Sequence, residues 1–335
     1  MDRGVVRQRT KQPMMRFLIS RSSEALVILL IMSFVIYGLI GLMPGDPIDL
    51  MINSDPKLTP ADAARLKALY GLDQPILERY FSWLTAALEG DLGYSRVHSK
   101  PVLEILIPHL GNTVLLLGIS LTLSLFIAIP LGIYAALNPY SRCDYAVNLF
   151  CFAGISVPPF WLALLLILVF SVTFGWLPAG GMETVGKYSL LDRTQYLILP
   201  VATLTIHSVG GFTRFMRASM LMTLRQDYIR TARAKGLSET HVVIGHALRN
   251  AFTPLVTVIA LSFGGMFSGA LITETMFGWR GIGKTIFDAI MGNDFNLALI
   301  GLLLATAFTL LGNFLADICY AWLDPRINLT ERHAE

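Results

Sequence analysis

Asn112-Thr-Val-Leu-Leu-Leu-Gly-Ile-Ser-Leu-Thr-Leu-Ser-Leu-Phe-Ile-Ala-Ile-Pro-Leu-Gly-Ile-Tyr-Ala-Ala-Leu137 is a run of 26 residues without a charge. At 1.5 Å per residue a helix over it reaches about 39 Å, which exceeds the ~30 Å hydrocarbon core of a bilayer. The stretch therefore reads as a membrane span. Pro130 and Gly132 lie inside it and are expected to bend it.

Working outward from this run gives five more. Ala25 to Met43 is uncharged and ends at Met43-Pro44-Gly45-Asp46-Pro47, where two prolines stop a helix. Ala146 to Phe174 is interrupted by Pro158-Pro159, which must kink or break it. Tyr196 to Phe212 is the weakest run, with Pro200, several threonines, Ser208 and His207. Ala251 to Thr273 and Leu297 to Leu323 complete the set, the last holding one acid, Asp317. The expected fold is an all-α membrane protein with six transmembrane helices.

Composition agrees. Of 335 residues 54% are hydrophobic and only 15% charged, against a usual ~25%, and the mean hydropathy is +0.60. These values exclude a disordered chain and make a water-soluble enzyme a poor fit. The net charge of +3 makes no case for nucleic acid. Cys143, Cys151 and Cys319 share no metal or redox spacing, so they read as packing residues and no metal site is expected.

Lys and Arg set the orientation. Arg3, Arg7, Arg9, Lys11, Arg16 and Arg21 precede the first run, and seven more lie between Thr213 and Asn250. That places both termini in the cytoplasm, N-in and C-in. A cleaved signal peptide is rejected, because the first run is longer than a signal core and no small-residue cleavage site follows it. The expected organisation is a cytoplasmic basic segment 1–24, a first span 25–43 and a long external loop 44–111. A membrane core follows at 112–323, containing a cytoplasmic loop 213–250, and then a tail 324–335. In the external loop Thr59 to Tyr70 reads as a short helix, capped by Thr59 and ended by Gly71. Ile76 to Leu88 reads as another, with Tyr80, Leu84 and Leu88 on one apolar face.

Gly278-Trp-Arg-Gly-Ile-Gly-Lys-Thr285 matches G-x-x-x-x-G-K-[ST], the pattern that cradles nucleotide phosphates. The context contradicts that reading. The segment follows a span rather than a strand, falls on the external side, and has no strand-borne Asp after it to hold magnesium. It reads as a tight turn and short helix at the membrane edge.

The basic loop carries the function. About 38 residues join two spans that six would join, and helix connections usually need 2–8 residues. Tyr228 to Lys235 is helix-forming, Gly236 suits the position after a helix end, Ser238 suits an N-cap and Glu239 the first turn. Val242, Val243, Ala247 and Leu248 form an apolar stripe. The expectation is a helix, a break, and a second short helix lying across the cytoplasmic face with Glu239, Thr240 and His241 exposed. Lipid attraction alone would not require such a break-and-cap design, so the element reads as a docking site for a cytoplasmic protein.

Tyr228-Ile-Arg-Thr-Ala-Arg-Ala-Lys-Gly236-Leu-Ser-Glu and His246-Ala-Leu-Arg-Asn-Ala251 resemble the "EAA" loop of ABC-importer permeases. The likeness is to the dipeptide/oligopeptide/nickel family, in particular the first of its two permease subunits. Met43-Pro-Gly-Asp-Pro47, Tyr70-Gly-Leu-Asp73, Gly90-Asp-Leu-Gly-Tyr-Ser95, Ile155-Ser-Val-Pro-Pro-Phe-Trp161, Phe277-Gly-Trp-Arg-Gly-Ile-Gly283 and Asp324-Pro-Arg326 are similar to further stretches of that family. Where the wider class has Glu-Ala-Ala this chain has Arg230, Thr231 and Ala232; only Ala232 and Gly236 keep the wider pattern.

The resemblance implies a type I ABC importer permease fold in a bacterial cytoplasmic (inner) membrane. It implies a second homologous permease subunit, two cytoplasmic ABC ATPases and an external substrate-binding protein. ATP and magnesium would be held by the ATPases, with no cofactor and no catalysis in this chain. The ATPase-coupling residues it implies are Ala232, Gly236, Leu237, Ser238, Glu239, Thr240, His241 and His246. Cargo would be di- or oligopeptides, with nickel chelates, glutathione or opine-like compounds as alternatives.

Three ionisable residues are candidates for the translocation pathway: His207 within a span, and Glu274 and Asp288 near the outer mouth. Solvated rim charges are the plainer reading of the last two. Ser262, Gly264, Gly265, Ser268 and Gly269 mark close helix packing, read as subunit contact. An ion-coupled secondary transporter is the main rival, but it would need several mid-membrane charges and an internal repeat, and neither is seen. A self-contained ATPase pump would need a nucleotide domain, and an intramembrane protease a catalytic motif; both are missing from the sequence.

Overall fold

The computed structural model describes residues 11–42, 74–187 and 189–323. The expected helix at Thr59 to Tyr70, and the motifs at Met43–Pro47, Tyr70–Asp73 and Asp324–Arg326, lie outside the described residues. In chain order the elements are α1 (Lys11–Gly41), α2 (Ile76–Leu88), a two-residue hairpin β1 (Tyr94–Ser95) and β2 (Lys100–Pro101), α3 (Val102–Leu137), α4 (Arg142–Ser156) and α5 (Pro159–Leu166). They continue with α6 (Leu190–Leu224), α7 (Asp227–Ala234), α8 (Glu239–His241), α9 (Arg249–Phe277), α10 (Ile282–Met291) and α11 (Phe295–Leu323).

Among the described residues five helical stretches are long and apolar enough to cross a membrane: Leu18–Gly41, Val102–Leu137, Leu190–Leu224, Glu239–Ser262 and Phe295–Leu315. The third apolar run is not a straight span. α4 and α5 meet at a 101° bend. Val157 and Pro158 are both extended (ψ 122° and 138°) and Pro159 opens α5, because the Pro159 ring leaves no N–H and excludes the helical conformation before it. Counted as one broken span, the pair brings the total to six. α5 passes into a wider π-helical stretch, Ile167–Thr173.

The helices outrun the apolar segments that announced them. α6 was expected over Tyr196 to Phe212; it starts at the Ser189 N-cap, whose hydroxyl accepts from Leu191 N, passes Pro200 and continues to Leu224. Its inner extension buries Met216, Ser219, Met220 and Thr223. Packing therefore holds a helix that hydropathy does not mark. Twelve of the 38 residues expected in the loop belong to this extension.

The chain divides into two compact units. Among the described residues, one comprises 11–22, 114–187, 189–279 and 309–323. Its main core joins Ala128 and Ala136 of α3, Phe212, Met216 and Met220 of α6, Ile229 and Ala232 of α7, and Ala251 and Leu255 of α9. Backbones approach closely here. A β-carbon on Gly132 would lie 2.9 Å from Thr213 O, one on Gly154 2.9 Å from Ile206 O, and one on Gly210 2.5 Å from Cys151 O. Gly132 was singled out for bending; its observed role is to admit α6. Arg21 pairs with Asp317 at 3.2 Å in this unit.

The other unit comprises, among the described residues, 23–42, 74–113 and 280–308. α2 spans Ile76–Leu88 as the sequence spacing suggests, and Tyr80 is buried, sharing a 2.8 Å hydrogen bond with Ser33. Leu88, expected on the same apolar face, is 80% exposed. The β1–β2 hairpin clamps the turn before α11. The buried Asp294 carboxylate accepts from Ser95 Oγ (2.5 Å) and Val97 N (3.1 Å), and Arg96 donates to Gly292 O at 2.7 Å.

Candidate functional site

The basic segment after α6 is built as its local chemistry suggests. Arg225 and Gln226 break the helix, α7 follows, and Gly236 takes φ +77°, which only glycine adopts without strain. Its N–H donates to Arg233 O at 2.9 Å, closing α7. Ser238 is extended and its hydroxyl accepts from His241 N at 3.4 Å, capping α8. Arg233 crosses the break and holds Glu239 by two bonds, Nε to Oε1 (2.8 Å) and Nη2 to Oε2 (3.1 Å). Both side chains are exposed, so this fork orients the turn more than it stabilises it.

The second helix differs from expectation. It does not stand as a separate rod across the membrane face. α8 runs into a π-helical stretch, Val242–Leu248, and then directly into α9, with helical dihedrals at each junction. The apolar stripe does not meet lipid either. Val242, Val243 and Ala247 are buried in the core formed with α3, α6, α7 and α9, with Leu248 packed against it. The segment is shorter and more tightly bound to the spans than a surface helix would be.

Of the residues singled out, Ala232 is buried beside Ile229, facing inward. Gly236, Leu237, Ser238, Glu239, Thr240 and His241 form a continuous exposed edge, and His246 is half-buried with its ring edge-on to His241 at 5.6 Å. Ile244, overlooked in the sequence, is 60% exposed on the same turn region. An isoleucine flanked by apolar residues carries no composition signal that it points outward, although its helical phase sets it apart from Val242, Val243 and Ala247.

Of the pathway candidates, His207 and Glu274 belong to the first unit and Asp288 to the second. His207 is half-buried, and its Nδ1 has no partner among the described residues. Glu274 is wholly buried near the end of α9, which excludes the solvated-rim reading for it. Asp288 is exposed and held by Lys284 at 2.6 and 2.9 Å. Of the small-residue stripe, Ser262 donates to Val258 O at 2.7 Å; the side chains at 263–269 lie outside those described. Among the described residues, close helix crossings occur at Gly132, Gly154 and Gly210.

The phosphate-loop match is disposed of by geometry. Ile282 N, at the start of α10, donates to Thr113 Oγ1 (2.8 Å). Thr285 Oγ1 donates to Gly281 O (2.7 Å) and meets His109 Nδ1 at 2.6 Å. With Lys284 on Asp288, the lysine and threonine side chains that would hold a phosphate are already engaged.

Two features were invisible in the sequence. Asp144, in the first turn of α4, is buried and takes a two-pronged bond from Arg217 of α6, Nε to Oδ1 (2.7 Å) and Nη2 to Oδ2 (2.6 Å). One helical turn away, the Arg214 guanidinium lies 4.4 Å from the centre of the Phe152 ring. Arginines three residues apart at a span's inner end suggest only a basic edge; which one finds a carboxylate depends on how the helices cross.

Comparison with known proteins places these features. Residues 128–329 match the family of binding-protein-dependent transport system inner membrane components, and residues 14–117 match the N-terminal region of such membrane components. The oligopeptide transport system permease protein AppB of Bacillus subtilis is 39% identical over 94% of this chain and 99% of its own length. OppB of Haemophilus influenzae, also an oligopeptide permease, is 35% identical, and the dipeptide permease DppB of Escherichia coli K12 is 32% identical, each with 94% and 99% coverage.

Proposed function

The chain belongs to the family of binding-protein-dependent transport system inner membrane components, and from that membership we propose how it works: as one permease subunit of an ATP-driven importer of di- or oligopeptides. It is a multi-pass protein of the bacterial inner membrane. In this reading both termini are cytoplasmic and a second, homologous permease completes the pathway. Two cytoplasmic ATPases hold the ATP and magnesium, and an external binding protein delivers the peptide. The chain carries out no covalent chemistry of its own.

The observation that carries the reading is the two-sided build of residues 227–248. One side, Ile229, Ala232, Val242, Val243 and Ala247, is locked into the core with α3, α6 and α9. The other presents Leu237, Glu239, Thr240, His241 and Ile244 outward. A force applied to the outer edge passes to the spans because the inner edge has no freedom to slide. ATPase closure would thus move α6 and α9 as a body and tip the pathway between inward-open and outward-open packings.

The test is a mild-detergent pull-down of the complete importer through a tag on the C-terminal tail, with wild type, Gly236→Pro and Glu239→Arg compared. Proline cannot adopt φ +77° and loses the N–H bonded to Arg233 O; the arginine replaces the fork with like charges. The wild type is expected to bring down a second permease and the ATPases. Both variants are expected to keep the permease and lose most of the ATPase. ATPases retained undiminished by both variants, or a wild-type chain recovered only with copies of itself, would refute the coupling reading.

A further inference from the structure

We infer that the groove between α4 and α6 is the inner end of the peptide pathway, and that Arg214 receives there the C-terminal carboxylate of the passing peptide. The inference rests on the peptide-permease reading above. The groove has a volume of about 570 Å³, within the ~300–1,000 Å³ usual for small-ligand sites. Its walls are Asn148, Phe152 and Ile155 from α4, and Gly211, Phe215 and Ala218 beside the two arginines of α6.

Charge accounting singles out Arg214. Arg217 is neutralised by Asp144. Arg214 has no carboxylate partner among the described residues; its described contact is the Phe152 ring. That ring attracts the cation but is no carboxylate or carbonyl acceptor, so the guanidinium N–H donors remain for a planar, two-oxygen acceptor. A carboxylate matches that fork. The remaining walls are apolar or neutral, which suits varied side chains and places the specificity on the peptide terminus.

The face around Arg214 argues for a watery pathway over a lipid surface. α6 has the lowest mean hydropathy of the five candidate spans, 1.3, and is the most buried of them. His207, Gly211, Arg214 and Ala218 follow one another at helical spacing along its open side. A lipid-facing stripe would not carry the ionisable His207 and Arg214 on its open side. His207, with an unpartnered ring nitrogen, lies two turns from Arg214 on the external side in the orientation given above.

The experiment uses the complete importer in proteoliposomes with its binding protein saturating, and compares uptake of trialanine and trialanine amide. The variant lies in the permease, so any preference of the binding protein is the same in every arm. Arg214→Gln is expected to lower trialanine uptake roughly tenfold or more, the effect of losing a charged hydrogen-bond pair. Amide uptake should change little, so the trialanine-to-amide ratio falls. Arg214→Lys should restore much of the ratio, and ATPase activity stimulated by the loaded binding protein should persist in both variants.

An unchanged ratio overturns the assignment. Equal loss of both peptides together with ATPase activity also overturns it and makes Arg214 a structural residue. Loss in the variant that tracks phosphatidylglycerol content, with the ratio unchanged, makes the groove a headgroup site instead. A wild type that imports neither peptide refutes the peptide-permease reading itself, and this inference with it.

Discussion

Asp144→Ala is expected to destabilise the folded permease by about 3–5 kcal/mol, the usual consequence of stripping one partner from a buried ion pair. The Asp144 side chain is 3% exposed, and both of its oxygens are used twice. Oδ1 accepts from Arg217 Nε and Asn148 Nδ2, and Oδ2 from Arg217 Nη2 and Tyr140 N. Tyr140 has φ +63°, an uncommon conformation for a side chain of its size, and the Asp144 carboxylate is what holds its N–H. The position in the first turn of α4, beneath the Ser141 cap, adds a favourable helix dipole. Alanine would release the α4 turn and leave Arg217 without its counter-charge.

The pair's net worth is a separate matter from the cost of breaking it. Asp144→Met with Arg217→Met, which removes both charges together, is expected to recover a large part of the loss. Thermal melting of the purified importer in detergent across the two single variants and the double one measures this coupling. Single variants that melt with the wild type, and a double variant that shows no coupling, would mean the pair holds nothing together.

The second large effect concerns Gly210. A β-carbon there would sit 2.5 Å from Cys151 O and 3.1 Å from Cys151 C and Cα, all backbone atoms. No rotamer change relieves such a contact; α4 and α6 must separate. Gly210→Ala is expected to cost ~1–3 kcal/mol and Gly210→Leu more, by overpacking. Gly118→Ala is the internal control, since nothing lies within 4 Å of a β-carbon at that position of α3. It should be neutral or slightly stabilising through helix propensity. Melting temperatures and the recovery of assembled importer by size exclusion distinguish the two. Equal behaviour of Gly210→Ala and Gly118→Ala would show that the α4–α6 crossing tolerates separation.

The legible parts of the molecule were those governed by local chemistry. Uncharged runs marked helices because the bilayer forbids unpaired backbone polar groups. Pro158-Pro159 marked the 101° break because proline acts on its own backbone and its neighbour's. Gly236 and Ser238 announced a helix end and a helix start. The same reading stopped α6 at Phe212, twelve residues short of Leu224, because Met216, Ser219 and Met220 are helical through what they pack against. It made α8 a free surface helix, because Val242, Val243 and Ala247 look alike whether their stripe meets lipid or a core.

The sequence by itself determined the solvent of this protein, its helical class, its family and the turn chemistry of the coupling segment. The family follows from the resemblance of its motifs, and the rest from composition, hydrophobic run length and residues that act on their immediate neighbours. Only the tertiary structure decided that Arg217, and not Arg214, has a carboxylate among the described residues, that Glu274 is buried while Asp288 is exposed, and that Gly154 and Gly210 set the α4–α6 contact. Each of these depends on which residues of distant segments meet. Helix crossings that bring backbone within van der Waals contact are sums of many weak packing terms, and no single residue type signals them in advance.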